Sequence, residues 1–123
     1  MTTSRLNLLV IRAADVERAV AFYRGLGLPF VRERHGSGPV HYAAQCGGTV
    51  FEIYPARSGE PASASVRLGF CVPDVTEATS ALLGAGGVLR MGASAERCVV
   101  IDPDGNSVEL RPVDVDVATT SSR

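Results

Sequence analysis

The stretch DVERAVAFYRGLG at residues 15–27 returns fifty-nine positions later as DVTEATSALLGAG at residues 74–86. The aspartate, the valine, one alanine and two glycines keep their places in both copies. Aspartate is a favoured residue just before a helix, and glycine is common just after one. The apolar positions between them fall three and four residues apart, which is typical of one helix face. Each copy therefore predicts a short helix capped by Asp15 or Asp74.

The repeat continues beyond the helices with a slightly shorter offset. Gly48, Glu52 and Pro55 recur fifty-seven positions later as Gly105, Glu109 and Pro112. Two constant offsets separated by a two-residue deletion indicate a tandem duplication in which one loop was shortened. If two copies of a curved sheet enclose one site, Glu52 and Glu109 are both candidates to line it.

The segments around the helices predict strands in the same order in both copies. Short apolar or alternating runs, bounded by glycine and proline turns, favour strands. They lie at residues 6–11, 29–35, 40–46 and 49–54 in the first copy, and at 64–72, 88–91, 96–101 and 107–111 in the second. The sequence thus predicts one α+β domain of two tandem βαβββ modules, which form curved mixed sheets. Module one covers about 6–55, a linker 56–63, module two about 64–112, and a flexible tail 113–123.

Composition narrows the class of protein. The chain has 123 residues, a 46% hydrophobic content and a net charge of −1, so nothing suggests nucleic acid or an anionic membrane as a partner. It contains no apolar run of membrane-spanning length, and its start lacks the apolar core of a signal peptide. Three single cysteines without a CxxC motif favour buried, reduced thiols. We therefore expect a cytoplasmic protein.

Two motifs resemble those of a known superfamily. One is the helix end Ala21-Phe-Tyr-Arg-Gly-Leu-Gly-Leu28, and the other is the final hairpin Asp102-Pro-Asp-Gly-Asn-Ser-Val-Glu-Leu110. With the paired βαβββ modules, they resemble the vicinal oxygen chelate superfamily, which includes glyoxalase I, bleomycin-resistance proteins and extradiol dioxygenases. The resemblance covers about residues 6–112. Because members of this length usually pair two chains, it implies a homodimer whose cups are completed by both chains.

The resemblance also implies a metal site, and two of its four positions do not suit a metal. Metal-dependent members ligate the ion from the first and last strands of each module. The last-strand positions here are Glu52 and Glu109, but the first-strand positions fall at or beside Leu8 and at Arg67. Leucine has no donor atom, and arginine is cationic without an acceptor. A shift of one residue, to Asn7 or Val66, does not repair the site.

A divalent metal is therefore disfavoured, and we expect no cofactor. We hypothesise instead that the Arg67 guanidinium supplies the positive charge between the two carboxylates, because its fork fits a carboxylate. The ordinary alternatives are a solvent-facing Glu52 and a Glu109 that pairs with the neighbouring Arg111.

His35 and His41 flank the turn at residues 36–39 and should lie close together if the flanking strands form a hairpin. Both imidazoles could lie at a loop edge near solvent, or His41 could lie over the mouth of the cup as a general base or ligand contact. Tyr54 shares the strand face of Glu52 and is assigned to the pocket. The predicted ligand-binding residues are Leu8, His41, Glu52, Tyr54, Arg67 and Glu109. Catalytic residues are unknown, with Glu52, Glu109 and His41 as candidates.

The sequence is consistent with three functions. The first is a metal-independent protein that binds a small organic molecule in a cup floored by Glu52, Arg67 and Glu109. The second is a metal-dependent lyase, isomerase or dioxygenase of the glyoxalase type, in which Glu52 and Glu109 would be metal ligands. The third is a dimeric interaction domain without a ligand. The sequence does not decide whether a reaction is catalysed.

Overall fold

A computed structural model describes residues 2–91 and 94–113 and shows two modules of the same architecture. Module one contains β1 (Leu8–Ala13), α1 (Val16–Arg24), β2 (Val31–Glu33), β3 (His41–Cys46) and β4 (Thr49–Pro55). Module two contains β5 (Arg67–Val72), α2 (Val75–Gly84), β6 (Val88–Met91), β7 (Cys98–Ile101) and β8 (Ser107–Pro112). The predicted βαβββ order is confirmed in both modules.

Each module builds one four-stranded mixed sheet. The first sheet has the order β1-β4-β3-β2 and the second sheet has the order β5-β8-β7-β6. In each, the first strand of the module runs parallel to the last strand, and the other neighbours are antiparallel. The last strand, which carries Glu52 or Glu109, therefore lies inside its sheet between two neighbours. The predicted α+β fold class is confirmed.

The helices begin where the sequence predicts. The Asp15 side chain accepts a hydrogen bond from the Arg18 backbone N–H at 3.2 Å, and Asp74 accepts one from Glu77 at 3.0 Å. These caps satisfy N–H groups that a helix start leaves without a partner. The predicted apolar face of α1 packs into the core, where Ala19, Val20, Phe22 and Tyr23 are buried.

Alternation along the strands separates a core face from an open face. On β4, Phe51 and Ile53 are fully buried against the helix side, whereas Glu52 and Tyr54 point to the other side and are half-buried. Buried side chains from both modules form one core, and the half-buried Phe70 packs against it with its ring 6.2 Å from the ring of Phe51. We call the opposite surface of each sheet its open face. Glu52 lies on the open face of the first sheet, and Glu109 lies on the open face of the second.

The turn before β8 fastens module two to module one. Asp102 is buried and accepts a hydrogen bond from the Tyr23 hydroxyl of α1 at 2.6 Å. Asn106 is also buried, donates from its side-chain amide to Asp102 at 2.9 Å, and accepts from the Val66 N–H at 3.0 Å. Burial, followed by the nearby Asp102 charge, raises the pKa of Tyr23 above its ordinary value of 10.0, so the phenol stays a donor. The predicted turn is thus also a polar contact between the modules.

Several sequence expectations need correction. The strand predicted at 29–35 is only Val31–Glu33, and the Arg34 side chain donates to the Gly38 carbonyl in the turn that follows. The strand predicted from residue 64 begins at Arg67, after Ser65 has adopted a positive φ of 88°. Of the three thiols expected to be buried, Cys98 is buried and Cys71 is exposed.

Two further expectations concern membranes and the tail. Neither helix in the described part of the chain is long and apolar enough to cross a membrane. The tail predicted to be flexible lies, from residue 114 onward, outside the described residues.

Candidate functional site

The two glutamates occupy equivalent positions on the open faces. Val10 and Ala43 lie beside Glu52 on the neighbouring strands, and Gly69 and Val99 lie beside Glu109. Both carboxylates therefore project from the middle of their sheets, as the repeat predicts. Their surroundings differ, because Glu52 has apolar neighbours and Glu109 lies among arginines.

Glu109 is held by two guanidinium groups. Arg97 donates from Nε to the Glu109 carboxylate, and the Arg111 Nε lies 3.7 Å from its other oxygen. The hydrogen bond from Arg97 lowers the pKa of Glu109 from its ordinary value of 4.5. The positive charges of Arg97, Arg111 and Arg67 act in the same direction, while partial burial opposes them. Glu109 is therefore an ionised carboxylate at neutral pH.

Arg67, which we predict to supply the positive charge between the two carboxylates, forms no ion pair with either of them among the described residues. Arg67 lies on the open face near enough to lower the pKa of Glu109, but among the described residues Glu109 forms its ion pairs with Arg97 and Arg111. Arg97 is the residue that sequence reasoning missed. The pairing of Cys98 with Leu110 in the hairpin places Arg97 opposite Arg111 and beside Glu109. The signal in the sequence is the turn at 102–106, which sets the register that brings Arg97 beside Glu109.

Two adjoining cavities open on the second sheet. The larger, of about 350 Å³, is lined by Arg67, Arg90, Met91, Arg97, Val99 and Ser107. The smaller, of about 220 Å³, shares three of these residues and also reaches Leu68, Gly69 and Glu109. Arg90 donates to the Ser107 hydroxyl at 3.0 Å, which fixes one more guanidinium at the rim. The resulting surface combines three arginines with two apolar side chains.

The open face of the first sheet carries a stack of aromatic and cationic groups. The Tyr54 ring lies parallel to the His41 imidazole, with centroids 4.0 Å apart and planes 7° from parallel. The Arg12 guanidinium lies 4.8 Å from the centre of the Tyr54 ring. Tyr54 and Arg12 also line a cavity of about 440 Å³ at the end of this sheet, together with residues of the linker. Tyr54 thus lies beside a cavity, but a different one from that beside Glu109.

The two histidines differ from each other. Their rings lie 5.1 Å apart, which confirms that the hairpin brings them together. His35 is exposed, as a loop-edge residue should be, whereas the expectation of a solvent-facing His41 is wrong because only 1% of its surface is exposed. Tyr54 stacks against one face of the His41 ring, and the Glu33 carboxylate lies 3.2 Å from its Nε2 atom. His41 is therefore enclosed by protein rather than open at the mouth of a cup.

The six predicted ligand-binding residues divide between two surfaces of the chain. Leu8 and Glu52 lie on the open face of the first sheet, where Leu8 is exposed and pairs with Val50. Arg67 and Glu109 lie together on the second sheet, and the cavities there are lined by module-two residues. Within one chain, the two glutamates thus belong to separate open faces.

The donor atoms at the superfamily's metal positions do not suit a divalent ion. The superfamily's first-strand positions hold the apolar Leu8 and the cationic Arg67. Leu8 pairs with Val50, two residues before Glu52, and Arg67 pairs with Ser107, two residues before Glu109. Glu109 already accepts from Arg97, which would compete with any cation. A site with two carboxylates and no further donor lacks the three or four protein ligands that zinc normally receives. We therefore derive no chemistry from a metal at this position.

Comparison with solved structures gives the same fold. A glyoxalase/bleomycin resistance protein from Albidiferax ferrireducens superposes with a TM-score of 0.72 at 21% identity, covering 90% of this chain and 100% of that one. Glyoxalase I of Leishmania major, described as trypanothione-dependent, gives 0.72 at 20% identity, with coverages of 98% and 94%. An antibiotic-binding protein from Streptomyces gives 0.66 at 22% identity, with coverages of 91% and 98%. At these identities the likeness concerns the fold alone.

Sequence comparison identifies the family directly. No curated protein matches the chain. The family model for the Glyoxalase/Bleomycin resistance protein/Dioxygenase superfamily, however, matches residues 5–110. This range includes both helices, strands β1 to β7 and the first part of β8. The match agrees with the two βαβββ modules and with the two sequence motifs that resemble this group. The chain belongs to the Glyoxalase/Bleomycin resistance protein/Dioxygenase superfamily.

Proposed function

We propose that this chain is a metal-independent small-molecule-binding protein whose ligand is an organic anion held on the open face of the second sheet. The observation that carries the proposal is the cavity of about 350 Å³ that is lined by Arg67, Arg90 and Arg97 together with Met91 and Val99. Guanidinium groups bind carboxylates and phosphates through paired N–H donors. Apolar side chains at the same surface favour a ligand with an apolar body as well as a charged group.

The arrangement of the arginines supports binding rather than simple surface charge. Arg97 is fixed by Glu109, and Arg90 is fixed by Ser107. Both guanidiniums are thereby oriented before a ligand arrives, which lowers the entropy lost on binding. Glu109 then acts as a positioning residue for Arg97, and Arg67 contributes a further charge beside it.

A homodimer would complete this open cavity. Each open face exposes apolar side chains, among them Leu8 and Val31 on the first sheet and Met91 on the second. Exposed apolar surface of this kind is typical of interfaces. In our proposal a second chain covers the cup, and the apolar residues contact each other around the arginines. The antibiotic-binding protein with the same fold supports small-molecule binding as the function to test.

The test of ligand binding is a calorimetric titration, in which organic anions are added to the full chain and the heat of binding is measured. An aromatic carboxylate is compared with its neutral amide, which has nearly the same shape. We expect the carboxylate to bind and the amide to bind much more weakly. Arg67→Ala and Arg97→Ala should each weaken carboxylate binding roughly tenfold to a hundredfold, the usual cost of a charged hydrogen bond. Arg18→Ala, at an exposed position on α1, is the matched control and should change nothing.

Two outcomes would reject the proposal. Equal affinity for the carboxylate and its amide would mean that the arginines do not select the ligand. Loss of binding after treatment with a chelator, with recovery on adding a divalent metal, would mean that the protein depends on a metal.

The dimer is tested separately by light scattering during size-exclusion chromatography. The unmodified chain should elute with about twice the mass of one chain. Val31→Glu, on the open face of the first sheet, should shift it towards the monomer, because it places a charge in an apolar interface. Leu83→Glu, on the exposed side of α2, is the control and should leave the mass unchanged. A monomeric unmodified chain would contradict the dimer.

A further inference from the structure

A second cluster of chemically active side chains lies at the hairpin of β2 and β3, away from the arginine cavity. Glu33 ends β2, His41 begins β3, and the two residues are paired across the strands. His35 follows in the turn. One donor atom from each of the three residues lies within 4.8 Å of the other two. Two imidazoles and a carboxylate are a set of ligands that transition metals favour.

The hydrogen bond of His41 fixes which of its nitrogens is available. The His41 Nδ1 lies 3.2 Å from the Pro39 carbonyl oxygen, and a carbonyl can only accept. Nδ1 is therefore the protonated nitrogen, and the Nε2 of a neutral ring has a free lone pair. That lone pair faces the Glu33 Oε1 at 3.2 Å. Two acceptors at this distance need either a proton or a metal cation between them.

The distances suit a metal cation. Ligand atoms bonded to zinc at ~2.0–2.2 Å in a tetrahedron lie ~3.3–3.6 Å from one another. The Glu33 Oε1 lies 3.2 Å from the His41 Nε2 and 3.5 Å from the His35 Nε2. The backbone carbonyl that holds the Nδ1–H of His41 is the outer partner that metal-binding histidines usually have. Two of the three distances in the cluster thus match the edges of a tetrahedral site, and the two histidine ligand atoms lie within 4.8 Å of each other.

The surroundings hold His41 in place while leaving the site accessible. Tyr54 stacks on the His41 ring, and the Arg12 guanidinium lies against the Tyr54 ring. The neighbouring Arg34 donates to the Gly38 carbonyl. The His35 side chain is 73% exposed, so one side of the cluster meets solvent. A bound ion would keep an open coordination position on that side.

We propose that Glu33, His35 and His41 bind one divalent transition-metal ion, of the zinc class, with a water or a small ligand in the fourth position. The site lies on β2 and β3 of the first sheet and uses none of the residues at the superfamily's metal positions. It is also separate from the arginine cavity, so it stands or falls independently of the proposed anion binding. The ion would tie the short edge strand β2 and its turn to β3.

The test is calorimetric titration of Zn²⁺ into the full chain without a histidine tag, in a Cys71→Ser background that removes the exposed thiol. We expect one equivalent to bind. Co²⁺ in the same protein should give the intense visible absorption of a tetrahedral site. His35→Ala and Glu33→Gln should each lower the Zn²⁺ affinity by roughly a hundredfold or more, since even outer-shell changes cost ten- to a hundredfold. Both positions are solvent-accessible, so these variants should fold.

Glu52→Gln and Glu109→Gln are the controls and should leave Zn²⁺ binding unchanged. If these two variants lose the metal and the hairpin variants keep it, the ion lies at the superfamily's position and the proposal is overturned. It is equally overturned if the background protein binds Zn²⁺ no better than His35→Ala. In that case a proton, rather than a metal, joins His41 to Glu33.

Discussion

Glu52 and Glu109 occupy the same place in the two modules, but their neighbours differ in charge. Glu52 lies between Val10 and Ala43, and no ion pair reaches it from the described residues, 2–91 and 94–113. Glu109 forms ion pairs with Arg97 and Arg111. The duplicated backbone thus presents one carboxylate to an apolar surface and the other to a cationic surface.

This difference shows that a repeated fold can preserve a position while changing its chemistry. The backbone decides that each glutamate projects from the middle of a sheet, because strand register fixes the face. The side chains on adjacent strands decide whether a carboxylate is free to bind a ligand or already neutralised. Module two, with its arginines, is therefore the better candidate for an anionic ligand. The predictions below test this division between the modules.

The largest expected effect concerns the turns before the last strands, which also differ between modules. Module one has a short turn at Gly47 and Gly48, whereas module two buries Asp102. Asp102→Ala should lower the free energy of unfolding by about 3 kcal/mol, because it leaves buried donors of Tyr23 and Asn106 without an acceptor. Urea denaturation of the variant and the unmodified chain measures the loss.

The matched control lies two residues along the same turn. Asp104 is half-buried and accepts one hydrogen bond, from the Ala14 N–H at 3.1 Å. Asp104→Ala should cost about 1 kcal/mol, as a single hydrogen bond does. Equal losses for Asp102→Ala and Asp104→Ala would show that the buried network contributes little to holding the modules together.

A smaller effect is expected at two glycines that match in the repeat. A methyl group at Gly25 would lie 3.0 Å from the Phe22 carbonyl oxygen and 3.2 Å from a Leu82 methyl, whereas nothing lies within 4 Å of one at Gly84. Gly25→Ala should therefore destabilise by about 1 kcal/mol through crowding. Gly84→Ala should stabilise by about 0.5–1 kcal/mol, because Gly84 is helical and alanine lowers the entropy lost on folding. Thermal unfolding of both variants measures whether each substitution raises or lowers stability. A change in the same direction for both would contradict the packing difference.

The smallest effect is the pH dependence that Glu109 contributes to stability. The pKa of Glu109 is lowered in the folded chain, so its ion pairs stabilise the fold above the unfolded pKa, near 4.5. That contribution is lost as the pH falls below 4.5 through the lower folded pKa. Glu109→Gln should therefore reduce the drop in melting temperature on acidification. Glu52→Gln, which removes a carboxylate with no ion pair among the described residues, is the control.

Melting curves from neutral pH to about pH 3 test this, with each variant compared with the unmodified chain. The pKa of Asp104 is raised mainly by burial, so its contribution to the pH dependence of stability has the opposite sign. That contribution is present in every chain compared and therefore cancels. An unchanged acid response in Glu109→Gln would mean that solvent screens its ion pairs completely.

The sequence predicts the architecture well because the repeat fixes it twice. Aspartate caps, glycine stops and period-two strands are local signals, and each occurs in both modules. The position of Glu109 follows from the same signals. Its partner Arg97 does not, because the ion pair depends on the register across the turn. The buried Asp102 is missed for a similar reason, since its partner Tyr23 lies 79 residues away.

The fold prediction also leaves the site incomplete in another way. The Glu33 carboxylate between two imidazoles results from a hairpin whose first strand is only three residues long. Periodicity says little about so short a strand, and the burial of His41 depends on Tyr54 stacking from another strand. Fold is thus readable from local pattern, whereas the site depends on side chains that meet from distant parts of the chain.

The bond between Tyr23 and Asp102 has a consequence for the history of the duplication. Each partner comes from a different copy, and the repeat places Leu82 where Tyr23 would recur and Gln45 where Asp102 would recur. Neither copy retains both halves of the bond, so two identical copies of either module could not form it. The modules have become complementary rather than interchangeable, and a chain built from one module repeated twice would lose the bond that now joins them.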